Sequence, residues 1–189
     1  MLPDGVELVL EELWSPIAVL TAAHGGRANG LVTSTGVTAS LLPESPRVSV
    51  VLARSSLTRE LVLGSGAFAL HLLPAEPVGR SLEVFRRLGF ASGRDVDKLA
   101  GIPWHAGETG APVLEEALGY VEARVAATLD GGDVTVMLAD VVAGGGLREG
   151  GYLTIDDVRG RLTAEDWTLW ETRRDEELRQ ARELRANRA

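Results

Sequence analysis

Cysteine is absent from this 189-residue chain. Disulfides, thiol nucleophiles and iron–sulfur ligation are therefore excluded together. Positive charge is in deficit: 19 Lys and Arg stand against 27 Asp and Glu, a formal net charge of -8, and Lys98 is the only lysine. So acidic a chain has no basic face with which to displace counterions, so nucleic acid is not an expected partner. No apolar run is long enough to span a bilayer, so no membrane is expected either. Met1-Leu2-Pro3-Asp4 carries no basic region of the kind that opens a secretory signal, and the expectation is a cytoplasmic protein. Histidine is scarce. His24, His71 and His105 are scattered, without metal-ligand spacing, and Asp156-Asp157 with Glu165 and Asp166 reads as exposed charge rather than a metal site. There is no GxSxG elbow and no GxxxxGK[ST] loop, and Gly144-Gly145-Gly146 reads as a plain loop without the strand–helix setting of a dinucleotide fingerprint. Hydrolase, P-loop and Rossmann chemistry find no support.

What is present has ordinary globular composition, 45% hydrophobic and 24% charged, in a chain long enough for one substantial core. The first half reads mainly as β. The apolar stretch Ser15 to Ala22, the turn His24-Gly25-Gly26-Arg27 and a second stretch from Asn29 spell a hairpin. Val48 to Leu52 is a β-branched run of strand length. Ser56 to Leu63 turns helical and stops at Gly64-Ser65-Gly66, and Ala67 to Leu73 is again a strand. Glu76 to Leu88 predicts a short helix with Leu82, Phe85 and Leu88 on one face. The glycine-rich segment from Phe90 to Pro112 reads as an excursion over the surface or over a partner. Tyr120 to Leu129 alternates Val121, Ala123, Val125, Ala127 and Leu129 against Glu122, Arg124 and Thr128. After a turn at Asp130-Gly131-Gly132-Asp133 the chain returns through Val134 to Val142. From Thr163 the pattern is helical, with Thr163 and Asp166 close to a capping box and Trp167, Trp170, Leu178 and Ala181 on one face. Asp175–Arg179 and Arg179–Glu183 stand at ion-pair spacing. The predicted organisation is one domain over residues 1–160 and a charged helical tail over 161–189.

Two segments carry chemistry. Arg54-Ser55-Ser56-Leu57-Thr58-Arg59-Glu60 follows a strand and opens a helix. Unpaired backbone N–H groups, the helix dipole, three hydroxyls and a guanidinium together make a phosphate cradle. The plainer alternative is that Ser56 caps the helix and Arg54 lies in solvent. Asn29 to Ser40 is too rich in small hydroxylated residues for a buried strand, and suits a backbone that a planar ligand approaches closely; the alternative is a polar edge strand or turn.

Taken in order, Asn29-Gly30, Ser34, Ser40, Pro46, Arg54-Ser55-Ser56-Leu57-Thr58 and Ser65-Gly66-Ala67-Phe68-Ala69-Leu70-His71-Leu72-Leu73 resemble the flavin reductase-like FMN-binding family. The resemblance runs on through Phe85, Asp97-Lys98-Leu99-Ala100-Gly101-Ile102, Gly110-Ala111-Pro112-Val113-Leu114, Glu122 and Asp133, covering roughly residues 13 to 145. It implies a mainly β fold with peripheral helices: a six-stranded split β-barrel that dimerises, with FMN near the dimer interface and here a C-terminal helix. By position it places Leu31, Val32, Thr33, Ser34 and Thr35 along the isoalloxazine ring. Ser34 and Ser40 would offer hydroxyls to the flavin, and Arg54, Ser55, Ser56 and Thr58 would face the phosphate. The implied activity is an FMN-dependent oxidoreductase taking hydride from NADH or NADPH and passing electrons to free flavin, another acceptor or a partner protein. The flavin does the chemistry and no side chain need act as acid or base. Three positions depart from the family pattern. Gly132-Asp133-Val134 replaces Gly-Asp-His, Pro43-Glu44-Ser45-Pro46 replaces paired prolines, and His71 replaces an asparagine and reads as a buried structural histidine. The valine leaves open an alternative: a non-catalytic FMN-binding protein or electron carrier without efficient nicotinamide turnover.

Overall fold

A computed structural model describes residues 16–146 and 149–186. Ser15, at the head of the predicted apolar stretch, and Met1-Leu2-Pro3-Asp4 lie outside the described residues. Among the described residues nine strands and four helices succeed one another: β1 Ala18–His24, β2 Arg27–Thr33, β3 Val37–Thr38, β4 Arg47–Ala53, α1 Leu57–Ser65, β5 Ala67–Leu72, α2 Val78–Phe90, β6 Trp104–Ala106, β7 Pro112–Leu114, β8 Gly119–Asp130, β9 Val134–Gly145, α3 Ile155–Arg159 and α4 Ala164–Ala186. Six full strands and the two-residue β3 form one antiparallel sheet in the order β2-β1-β5-β8-β9-β4-β3, and β6 pairs with β7 beside it. The sheet curls without closing. At the split, one side chain stands in for a missing ladder rung: the Thr35 hydroxyl accepts from Val51 N at 3.0 Å and donates to Val51 O at 3.1 Å.

The predicted hairpin forms because Gly25 and Gly26 take φ of 59° and 77°, the positive pair that a two-residue turn between twisted strands demands. β1 is buried from Ala18 to Ala22, and apolar there except for Thr21, because both of its faces are covered. Leu20 and Ala22 enter the barrel interior with Val50, Leu52, Phe68 and Met137. Val19, from the other face, joins Ile17, Leu82, Phe85 and Leu88 in an outer core beneath α2. α1 sends Leu57, Leu61 and Val62 into the interior, one apolar stripe at helical spacing, and ends at Gly66 in the left-handed conformation.

Four sequence expectations need correction. The alternation read along β8 fails in both halves: Glu122 is buried, whereas Ala127 and Leu129 are exposed. Register shifts at Glu122/Ala123 and Val125/Ala127 rotate the side chains between faces, and the distal half of the hairpin has no layer upon it. Buried Glu122 is satisfied by Thr109 Oγ1 at 2.6 Å, Thr109 N at 2.8 Å and Glu108 N at 3.1 Å, so it clasps the loop between β6 and β7. Gly144 and Gly145 belong to β9 rather than a loop; a Cβ on Gly144 would come within 2.7 Å of the Tyr120 carbonyl oxygen, so close strand approach is what requires glycine. The excursion after α2 is not merely superficial, since Leu99 and Ile102 are part of the outer core. In α4 the capping box is present, with Asp166 N on Thr163 Oγ1 at 3.1 Å and Thr163 N on Asp166 Oδ2 at 2.9 Å. Arg179 pairs with Glu183 and with Glu176 rather than Asp175, and Leu178 is 41% exposed. Among the described residues no helix is long and apolar enough to cross a membrane.

Candidate functional site

A cavity of about 370 Å³ opens beside the split of the sheet. Its floor is the end of β2 (Leu31, Val32, Thr33) and the end of β4 (Val51, Leu52, Ala53), the strands that Thr35 stitches together. One wall is the β4–α1 turn with Ser55, Ser56 and Thr58; a second is the end of α2 and the chain from Ala91 to Arg94; the third is α4, through Trp170, Arg173, Arg174 and Glu177.

The helix start is chemically open. Ser56 occupies the N-cap position with extended φ and ψ of -71° and 129°, yet its hydroxyl makes no capping bond. The plainer reading of Ser56 as a simple cap is thus not what the structure shows, and first-turn N–H groups of α1 stand beside the cavity without a side-chain cap. Thr58 is fully buried beneath them and accepts from Asn29 Nδ2 at 2.9 Å. The neighbouring chain passes over Asn29 at Gly93, where any Cβ would collide with the Asn29 amide. That close passage sets down Arg94, whose guanidinium donates to Ser55 O at 3.2 Å and pairs with Glu60, arching over the start of α1. Sequence reasoning missed Arg94, because its position depends on a glycine packing against a residue 64 places earlier.

Charge is focused here. Arg94, Lys98, Arg173 and Arg174 line the cavity against one carboxylate, Glu177, in a chain of net charge -8. Lys98 is buried and donates to Leu88 O at 2.5 Å; burial pushes its ammonium down to about 8, Arg173 adds to that fall and Glu177 opposes it. Among the described residues no group of three His, Asp or Glu side chains is placed to hold a metal ion.

The model of the flavin reductase like domain matches residues 10–159. The chain belongs to the flavin reductase-like family. It is 30% identical over 146 residues to a high molecular weight rubredoxin of Moorella thermoacetica, covering 77% of this chain and 62% of that protein, so the match spans under two thirds of that relative's length. It is also 30% identical over 139 residues to the reductase subunit HsaB of a flavin-dependent monooxygenase of Mycobacterium tuberculosis, covering 74% of this chain and 70% of the relative. Among solved structures, an FMN-binding protein from Thermus thermophilus with bound p-hydroxybenzaldehyde superposes with a TM-score of 0.61 at 26% identity, over 69% of this chain and 70% of the other. The open, mainly β sheet with helices is the fold of this flavin reductase-like group.

Six of the ten residues singled out from the sequence meet at the cavity: Leu31, Val32, Thr33, Ser55, Ser56 and Thr58. The other four do not line it. Ser34 is exposed, and Thr35 is engaged in the stitch to Val51. Ser40 Oγ accepts from Leu42 N at 3.1 Å in the following loop. Arg54, proposed from the sequence as the phosphate ligand, donates to Gly132 O at 3.2 Å and pairs with Asp130 at 3.4 Å at the β8–β9 turn. β8 and the turn after it carry Asp130 and the Gly132 carbonyl to within reach of that guanidinium, which local sequence cannot foresee. His71 is fully buried and satisfied on both ring nitrogens. Nδ1 donates to Val19 O at 3.0 Å and Nε2 accepts from Leu114 N at 3.2 Å, while burial pushes its pKa down to about 4 against the opposing pull of Val19 and Glu122.

Proposed function

We propose that this protein is an FMN-dependent oxidoreductase that takes hydride from NADH or NADPH and passes electrons to free flavin, another small acceptor or a partner protein. The single observation that carries the reading is the uncapped start of α1 inside a cation-lined cavity of an otherwise acidic chain. A phosphate monoester fits that wall: first-turn N–H groups, Ser55 and Ser56 hydroxyls and the Arg94 guanidinium converge on it, and Thr58 is fixed beneath by Asn29. The apolar floor formed by Leu31 and Val32 and by Val51 and Leu52 suits a planar ring, and its volume lies within the roughly 300–1,000 Å³ of ordinary ligand pockets. When bound, the flavin supplies the hydride chemistry; the chain's own residues bind, orient and shield it. Arg94, not Arg54, is the phosphate-end cation in this reading.

The family resemblance to a monooxygenase reductase subunit supports turnover. One observation supports the alternative, a flavin carrier with poor nicotinamide turnover: Val134 opens β9, just after the β8–β9 turn, where the family pattern has histidine. A homodimer is part of the proposal, supported by Val37, Leu41 and Leu42, which are 49%, 99% and 56% exposed around the short edge strand β3. The test is direct. Purified protein should carry or take up FMN with a flavin spectrum that survives desalting, and anaerobic NADH or NADPH should bleach it. A protein that binds no flavin overturns the reading, and one that binds FMN but is never bleached is the carrier.

A further inference from the structure

The phosphate site at the start of α1 uses only one of the cavity's cations, Arg94. Of the other three, Lys98 follows Arg94 in the chain after α2, and Arg173 and Arg174 stand on α4 opposite. This helix lies wholly beyond residue 159, where the family match ends. Ion pairs hold it across the cavity near both ends: Asp166 to Arg86 of α2, and Arg185 to Asp133 at the β8–β9 turn, 2.8 Å apart. Between those anchors α4 turns Trp170, Arg173 and Arg174 to the cavity, although so hydrophilic a helix has room to place its arginines in solvent.

The grouping is unfavourable as it stands. Arg173 bears on the buried Lys98 ammonium; Glu177, 3.0 Å from Arg173, offsets them, and Glu176 adds a smaller attraction to Arg173 from outside the cavity lining. The Arg174 guanidinium lies 5.2 Å from the Trp170 ring centroid, a cation–π pair beside the same space. Like charges held together around a cavity are relieved by an anion between them, and an indole among them offers a face on which a base stacks.

We propose that the α4 wall is a second anion subsite that takes a nucleoside diphosphate group, with Lys98, Arg173 and Arg174 holding the phosphates and Trp170 stacking the base. The inference rests on the reading above, because it assigns the FMN phosphate to the α1 wall and leaves this wall for a second phosphate-bearing group. Flavin and nicotinamide adenine dinucleotides both carry that group, joined to a ring that belongs in the apolar part of the cavity.

The experiment titrates ADP, FMN, FAD and NADH into the full chain and into an Arg173→Gln/Arg174→Gln variant, following tryptophan and flavin fluorescence. Circular dichroism serves to confirm that α4 survives. ADP should bind the wild type, quench Trp170 and displace one dinucleotide but leave FMN bound; the dinucleotide displaced is the subsite's ligand. The variant should lose about tenfold in affinity for ADP and for that dinucleotide, and a Trp170→Leu variant should lose the quench. The proposal is overturned if ADP fails to bind, if it displaces neither dinucleotide, if it displaces FMN, or if the variant loses FMN and dinucleotide equally. FMN failing to bind where ADP still binds would instead overturn the flavin reading and leave the subsite standing.

Discussion

Arg86 grips Asp166 through two parallel hydrogen bonds, Nε to Oδ1 at 2.9 Å and Nη2 to Oδ2 at 2.7 Å. The pair joins α2, which covers the outer core, to the first turn of α4, which forms one wall of the cavity. Because the same carboxylate also accepts from Thr163 N, it both caps α4 and docks it.

Asp166→Asn should therefore release α4 rather than unfold the barrel. Loss of a bidentate, charge-assisted pair and half a capping box is expected to cost about 1–3 kcal/mol. Hydrogen exchange should show α4 amides losing protection while β1 and β5 keep theirs; unchanged α4 protection would mean that its tryptophans and the Arg185–Asp133 pair hold it without Asp166. The Arg86 hydrogen bonds, with that from Thr163, hold the Asp166 carboxyl at about 2, below its ordinary value of 3.8. A depressed carboxyl pKa stabilises the folded form above the unfolded value and stops doing so as pH falls through the folded one. The docking contribution should thus be intact above pH 4 and fade toward pH 2.

Arg94→Ala should weaken FMN by roughly one to two orders of magnitude, the worth of a charge-assisted hydrogen bond, while leaving riboflavin almost unaffected. Arg54→Ala should change either flavin by less than about threefold, because its guanidinium does not line the cavity and turns instead to Gly132 O and Asp130. Flavin-fluorescence titration of both variants decides. The reverse order of effects would return the phosphate to Arg54.

His71 predicts a stability slope. Its folded pKa of about 4 lies below the ordinary 6.5, so between those values the unfolded chain binds the extra proton and acidification favours unfolding. Protonating Nε2 would set two donors against each other at Leu114 N. Urea unfolding of the wild type should lose on the order of 3 kcal/mol between pH 7.5 and 4 from this group, and His71→Asn should remove that part of the slope. Equal slopes in the two proteins would mean that other groups set the acid stability.

Val134→His should leave FMN affinity unchanged, since Val134 does not line the cavity, and should speed reduction by NADH by up to about a hundredfold. Stopped-flow reduction already fast in the wild type and unmoved by the substitution would show that the turn takes no part in hydride transfer.

Local chemistry was enough to read much of this protein from its sequence. The Gly25-Gly26 turn, the stripe of Leu82, Phe85 and Leu88, and the capping box of Thr163 and Asp166 depend on neighbours within one or two turns of chain, and each is found where the sequence places it. Ser55, Ser56 and Thr58 were legible for the same reason, since a strand-to-helix junction sets its own donors. What only the tertiary structure decided is which charges meet those donors. Arg54 is adjacent in sequence yet drawn off by β8 and β9, whereas Arg94, Lys98 and Arg173 arrive from an irregular segment and a distant helix. Register shifts in the β8–β9 hairpin, invisible to a two-residue period, accompany a buried Glu122 and an exposed Leu129. The physical reason is one of range: hydrogen-bonded turns and amphipathic faces are specified by residues a few positions apart. A charged site is specified by whichever distant carboxylates and guanidinium groups packing brings within a few ångströms.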